Sequence, residues 1–279
     1  MSTIATEIRS FGAKPGWGDY GRQVRRVLVE TSIVCGAVLS EMSFLDHLEE
    51  LRKRLLRSIV AIVVAVVVCL TYAVNLIAFL RIPVDRVPDI HLVAIEATEI
   101  FSLYFKAAFL TGVCVAAPFV LWQAWQFISP GLYTHERRYA GPFLISTTAF
   151  FAMGAAFGFT VLLPLALRMI VSLAKPLDIL VSMSTLSYFD FLTTIVLSMG
   201  IVFEIPPVIF VLSRIGLVSA RLLARNFPYA VLVSFVVAAV ITPTTDASSM
   251  LLVAMPMIAL YAIGIVVALL FGRKRRVES

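Results

Sequence analysis

Six stretches of this chain are apolar over about the length that crosses a lipid bilayer, and they settle its secondary structure first. They cover residues 56–80, 103–127, 141–167, 189–213, 226–241 and 249–271. A hydrocarbon core about 30 Å thick takes about 20 residues of helix, so five are long enough and the fifth in order is short. Inside lipid every backbone N–H and C=O must be paired within the protein, which leaves helices or a closed barrel. No ten-residue alternating pattern points to a barrel. The expected fold class is therefore an all-α integral membrane protein with six transmembrane helices. Hydrophobic residues make up 60% of the 279 and charged residues 14%, against about 45–50% and 25% in soluble domains. The polar remainder is too short for a soluble domain.

Lysine and arginine placement orients the helices. With the N-terminus in the cytosol, the cytosolic segments beyond residue 41 hold Arg52, Lys53, Arg54, Arg57, Arg137, Arg138, Arg214, Arg221, Arg225, Arg273, Lys274, Arg275 and Arg276. The opposite side holds only Arg81, Arg86, Lys106, Arg168 and Lys175. The excess predicts both termini inside. It also accounts for the net charge of +6 without a nucleic-acid partner. Residues 1–41 are expected as a polar extension, either a disordered cytosolic tail or a segment not translated in the cell, since Met42 precedes a well-formed helix start. Residues 42–271 form the membrane domain and 272–279 a basic cytosolic tail.

Four segments carry polar chemistry. The first, SFLDHLEELRKRL (43–55), opens as an amphipathic helix with Ser43 as candidate N-cap and Phe44, Leu48, Leu51 and Leu55 on one face. By residue type alone, Glu49–Lys53 and Glu50–Arg54 read as ordinary i,i+4 pairs. The second, FISPGLYTHERR (127–138), holds Glu136 among topology-setting arginines and, taken alone, reads as a solvated loop. In the third, Glu204 lies about 15 Å of helix from Arg214, beside Pro206 and Pro207. A carboxylate at that depth costs at least about 2.5–3.5 kcal/mol, which marks a functional position, and the prolines break the helical ladder beside it. The fourth, TPTTDASS (242–249), is a tight turn with Ser248 or Ser249 as candidate N-cap.

Cys35, Cys69 and Cys114 sit singly among apolar residues, and His47, His91 and His135 are far apart. This spacing offers no metal or cofactor site. Every histidine falls outside the expected spans, so a nucleophile–base pair at depth, and with it an intramembrane enzyme, is not indicated. A secondary transporter with Glu204 as ion-coupling carboxylate is the competing reading, although no internal repeat is evident.

Together the segments resemble the TatC subunit of the twin-arginine protein translocase. The resemblance starts at Ser43, reaches Phe271, and is most specific in SFLDHLEELRKRL, FISPGLYTHERR, GIVFEIPP (200–207) and TPTTDASSMLLVAMP (242–256). The chain departs from the family in LYAIG (260–264), where Ala262 stands in place of a frequent glutamate. The resemblance implies a concave helix bundle in the cytoplasmic (inner) membrane. It implies a receptor for signal peptides bearing consecutive arginines, working with single-span TatA- and TatB-type partners and further copies of itself to export folded proteins on the proton-motive force. It further implies that Glu50 and Glu136 recognise the arginines. Arg52, Phe127, Pro130 and Leu132 shape that site, while Glu204 and Pro206 belong to a membrane face used in assembly or signal insertion.

Overall fold

The structure, a computed structural model, describes residues 47–88, 90–128, 140–178, 181–242 and 247–271. They fall in two units divided after Lys53. In the first, His47–Lys53 is helical and Lys53 Nζ lies 2.7 Å from Glu49 Oε1, with both side chains largely exposed. That is the ordinary one-turn pair expected, worth a few tenths of a kcal/mol. The candidate cap Ser43 lies outside the described residues.

Among the described residues, five helical stretches are long and apolar enough to cross a membrane: His47–Thr71, Ala97–Phe127, Leu144–Ala174, Thr185–Ile215 and Ala247–Phe271. A sixth apolar helix, Phe227–Ile241, is shorter. The expected positions hold, and the differences lie at breaks and ends. Helix α1 (His47–Thr71) stops at a turn on Tyr72, and α2 (Ala73–Asp85) follows; the sequence had suggested one helix over 56–80. The Thr71 hydroxyl donates to the Val68 carbonyl at 2.7 Å, the back-bonding by which threonine bends a helix.

Strand β1 (Ile90–Val93) leads into α3 (Ala97–Ile128). Then come α4 (Ala140–Phe157), a π-helical turn at Gly158–Leu162, and α5 (Leu163–Ala174). Pro164 has no N–H for the Thr160 carbonyl, which explains why the ladder widens there. Strand β2 (Val181–Ser184) pairs in parallel with β1, Ile90 opposite Val181 and Val93 opposite Ser184. This ladder adds to the helical architecture two strands too short to show in the sequence. It also holds the segments before α3 and after α5 side by side, as two intervening crossings require.

Helix α6 (Thr185–Val202) is capped by Ser184, whose hydroxyl accepts from the Leu186 and Ser187 amides. It is followed by α7 (Ile205–Ile215), α8 (Ala220–Arg225), α9 (Phe227–Ile241) and α10 (Ala247–Phe271). Gly216, at φ 81°, ends α7 while the Leu217 amide bonds the Leu212 carbonyl, a left-handed stop that glycine alone adopts without strain. Helix α10 starts at Ala247, so Ser248 and Ser249 sit in its first turn and neither is the N-cap.

Helix α6 carries the core: Tyr188, Phe189, Leu192, Ile195 and Met199 are fully buried against Leu110 of α3, Leu162, Leu163 and Leu167. By contrast Val60, Val64 and Val67 of α1, Val236 and Val240 of α9 and Leu270 of α10 are exposed, a surface suited to lipid rather than water. The buried Tyr188 hydroxyl donates to the Leu80 carbonyl of α2 at 2.8 Å. Tyr188→Phe should cost about 1 kcal/mol and lower the melting temperature of the detergent-solubilised protein. An unchanged melting temperature would show that this tie adds nothing.

Candidate functional site

Polar groups within the spans are few, and each has a distinct setting. Pro206 and Pro207 cannot donate to the carbonyls of Val202 and Phe203, so the ladder breaks at Phe203–Glu204 between α6 and α7, as the sequence predicted. The chain stays hydrogen-bonded through the break: the Glu204 amide bonds the Ile201 carbonyl at 3.0 Å, and the Val208 amide bonds that of Glu204 at 2.9 Å. Pro206 itself is buried. The Glu204 side chain is half-buried, and its Oε1 is buried without a hydrogen-bond partner among the described residues. Around it the packing is apolar, with Phe203 against the Phe157 ring at 5.6 Å between centroids. A carboxyl oxygen left so is expensive in a low-dielectric interior unless a donor arrives from elsewhere. Gln123 of α3, 4% exposed, presents a second such acceptor, its Oε1; an uncharged amide in an aromatic-rich run gave the sequence reading no signal.

The residues expected to read arginine are placed unequally. Glu50 is half-buried and Arg52 exposed on α1, and Phe127 is half-buried in the last turn of α3. Pro130, Leu132 and Glu136 lie outside the described residues. Within the second unit, Arg54 donates to the Gln126 side-chain carbonyl, which ties α1 to the last turn of α3.

At the other ends of α3 and α6 the sequence reading missed two polar ties. Glu99, 9% exposed in the first turn of α3, accepts from the Ser184 hydroxyl at 3.0 Å and the Ile95 amide at 3.2 Å. One turn or more further in, Lys106 of α3 pairs with Asp190 of α6. Lys106 had counted only as a topology charge. Its opposite-sign counterpart near the start of another apolar run was the available signal. Near the last turn of α7, Arg214 lies over the rings of Phe210 and Phe271 at 5.6 and 5.9 Å. The Tyr261 hydroxyl, beside Ala262, donates to the Leu223 carbonyl at 3.1 Å. Among the described residues no three His, Cys, Asp or Glu gather to hold a metal ion.

The family described as Sec-independent protein translocase protein (TatC) matches residues 46–256. The TatC protein of Koribacter versatilis is 43% identical over 85% of this chain and 89% of its own length. That of Deinococcus radiodurans is 35% identical over 84% and 88%. A crystal structure of the twin arginine translocase receptor TatC superposes with a TM-score of 0.75 at 34% identity, covering 81% of this chain and all of that one.

Proposed function

Because the chain belongs to the TatC family of Sec-independent protein translocases, we propose that it is the membrane receptor for twin-arginine signal peptides in a complex that exports folded proteins. It is a translocase component, not an enzyme. The proposal comprises six spans across the cytoplasmic membrane with both termini inside. Its membrane domain is 42–271, flanked by the extension 1–41 and the basic tail 272–279. TatA- and TatB-type single-span partners and further copies of this chain complete the complex, driven by the proton-motive force.

The observation that carries the reading is a pair of carboxylates, Glu50 and Glu136, on two segments that the lysine and arginine bias assigns to one side. A guanidinium is a planar fork that meets a carboxylate with two parallel hydrogen bonds, whereas an ammonium is a point charge. Two carboxylates on separate segments therefore favour an arginine doublet over a lysine doublet. Exposed pairs contribute only about 0.2–1 kcal/mol each; in a partly desolvated pocket, charge-assisted bonds reach about 1.5–3. The remaining affinity would come from the signal's apolar segment. The Arg54–Gln126 bond supports the reading, since Gln126 directly precedes Phe127 and the loop with Pro130, Leu132 and Glu136. Arg52 and Phe127 would frame the contact.

Glu50→Gln with Glu136→Gln should reduce cross-linking of a labelled twin-arginine signal peptide about tenfold or more, with the protein still membrane-inserted. Undiminished cross-linking in the double variant would reject the assignment.

A further inference from the structure

A cavity of about 520 Å³ lies between α2, α3, the π-helical turn and α6. Leu80, Leu110 and Val196 form its buried floor, and Phe79, Ala156 and Thr160 its exposed rim. Two threonines line it, and both hydroxyls are spent on their own helices. Thr111 donates to the Ala107 carbonyl at 2.9 Å and Thr160 to the Ala156 carbonyl at 2.7 Å. The strong donor left at the cavity is Arg86, exposed at the end of α2. Among the described residues Arg86 has no carboxylate partner, whereas its neighbour Arg81 is 3.6 Å from Asp85.

Position decides what enters. Ala156 and Thr160 lie in the middle of the Leu144–Ala174 span, so the mouth opens on hydrocarbon. Arg86 lies in the connection between α2 and β1, outside the spans, where headgroups begin. The fitting molecule is long, apolar and anionic at one end. A helix about 10–12 Å across would fit for only roughly one turn, whereas a flexible methylene chain follows an irregular cleft. We propose that this cavity holds one acyl chain of an anionic glycerophospholipid from the surrounding bilayer, with its phosphate on the Arg86 guanidinium. Arginine suits that contact because its fork matches phosphate as it matches carboxylate.

The test reconstitutes the full chain in phosphatidylcholine vesicles containing a little phosphatidylglycerol with a photoreactive diazirine on one acyl chain. After irradiation, peptide mass spectrometry locates the label. It should concentrate on 110–114 and 155–164, and fall about tenfold in Arg86→Gln, as loss of a charge-assisted contact predicts. The same diazirine on phosphatidylcholine should show no such concentration. Ala156→Phe, which fills the mouth, should exclude the label with Arg86 intact, its melting temperature reporting that it folds. Label spread as densely over Val236 and Val240, or unchanged in Arg86→Gln, overturns the proposal. So does a bare cavity lining that instead cross-links to a signal peptide or a second copy of the chain.

Discussion

Replacing Gly154 by alanine should cost more stability than the same change at Gly200 or Gly216. A Cβ there would stand 2.4 Å from the Met199 carbonyl oxygen and 2.7 Å from the Phe203 Cβ. The first obstacle is backbone, so no rotamer change relieves it, and α4 must move off α6. Overpacking of a core costs about 1–3 kcal/mol when side chains can adjust; here the upper end or beyond is expected, and valine in place of alanine should leave little folded protein. Gly200→Ala supplies the contrast, because its Cβ would meet the rim of the Phe151 ring at 2.7 Å and the ring can swing aside. Gly216→Ala meets nothing within 4 Å and suffers only from φ 81°, about 1 kcal/mol. Melting temperatures in detergent should rank Gly154→Ala lowest of the three. A Gly154→Ala protein as stable as the parent would show that α4 and α6 are not packed this closely.

The second large effect is functional and should come with no loss of stability. Glu204→Ala removes a carboxyl oxygen that is buried without a partner among the described residues. Such a group costs about 1–3 kcal/mol while it stays unsatisfied, so the isolated variant should melt at the same temperature or higher. Co-purification of a TatB-type partner and export of a folded reporter should both fall sharply if Glu204 waits for a donor from another chain, while arginine-dependent signal contact stays largely intact. Glu204→Gln, which keeps a carbonyl acceptor, should retain more of both. A marked drop in melting temperature would make the carboxyl a structural group. Normal assembly and export in Glu204→Ala would remove it from the assembly face.

Glu204 was legible from sequence because a carboxylate in the middle of an apolar run has few explanations, and the Pro206–Pro207 break follows from two missing N–H groups. The spans were legible for the same reason: lipid admits helices, and length fixes where they lie. The turn at Tyr72 was not, because no proline or glycine interrupts 56–80 and the local sign is one threonine, Thr71, whose hydroxyl donates to the Val68 carbonyl. Ile90–Val93 and Val181–Ser184 are four residues each, too short for a period to register, and they become strands only against each other. Glu99 gave no sign in the sequence, because its partner Ser184 lies 85 residues away along the chain. The proposed arginine-reading site was legible only as motif order, since charges on two separate segments carry no sign of their distance.

The parallel ladder joins residues 91 positions apart, Ile90 and Val181. At a synthesis rate of about 5–20 residues per second, the first strand leaves the ribosome roughly 5–18 s before its mate exists. Throughout that interval its backbone amides must be served by water, and the helices made in between must reach their places with that seam still open. The seam is thus a late event in biogenesis, closed only once α3, α4 and α5 have been made and the chain has come back to the side it left.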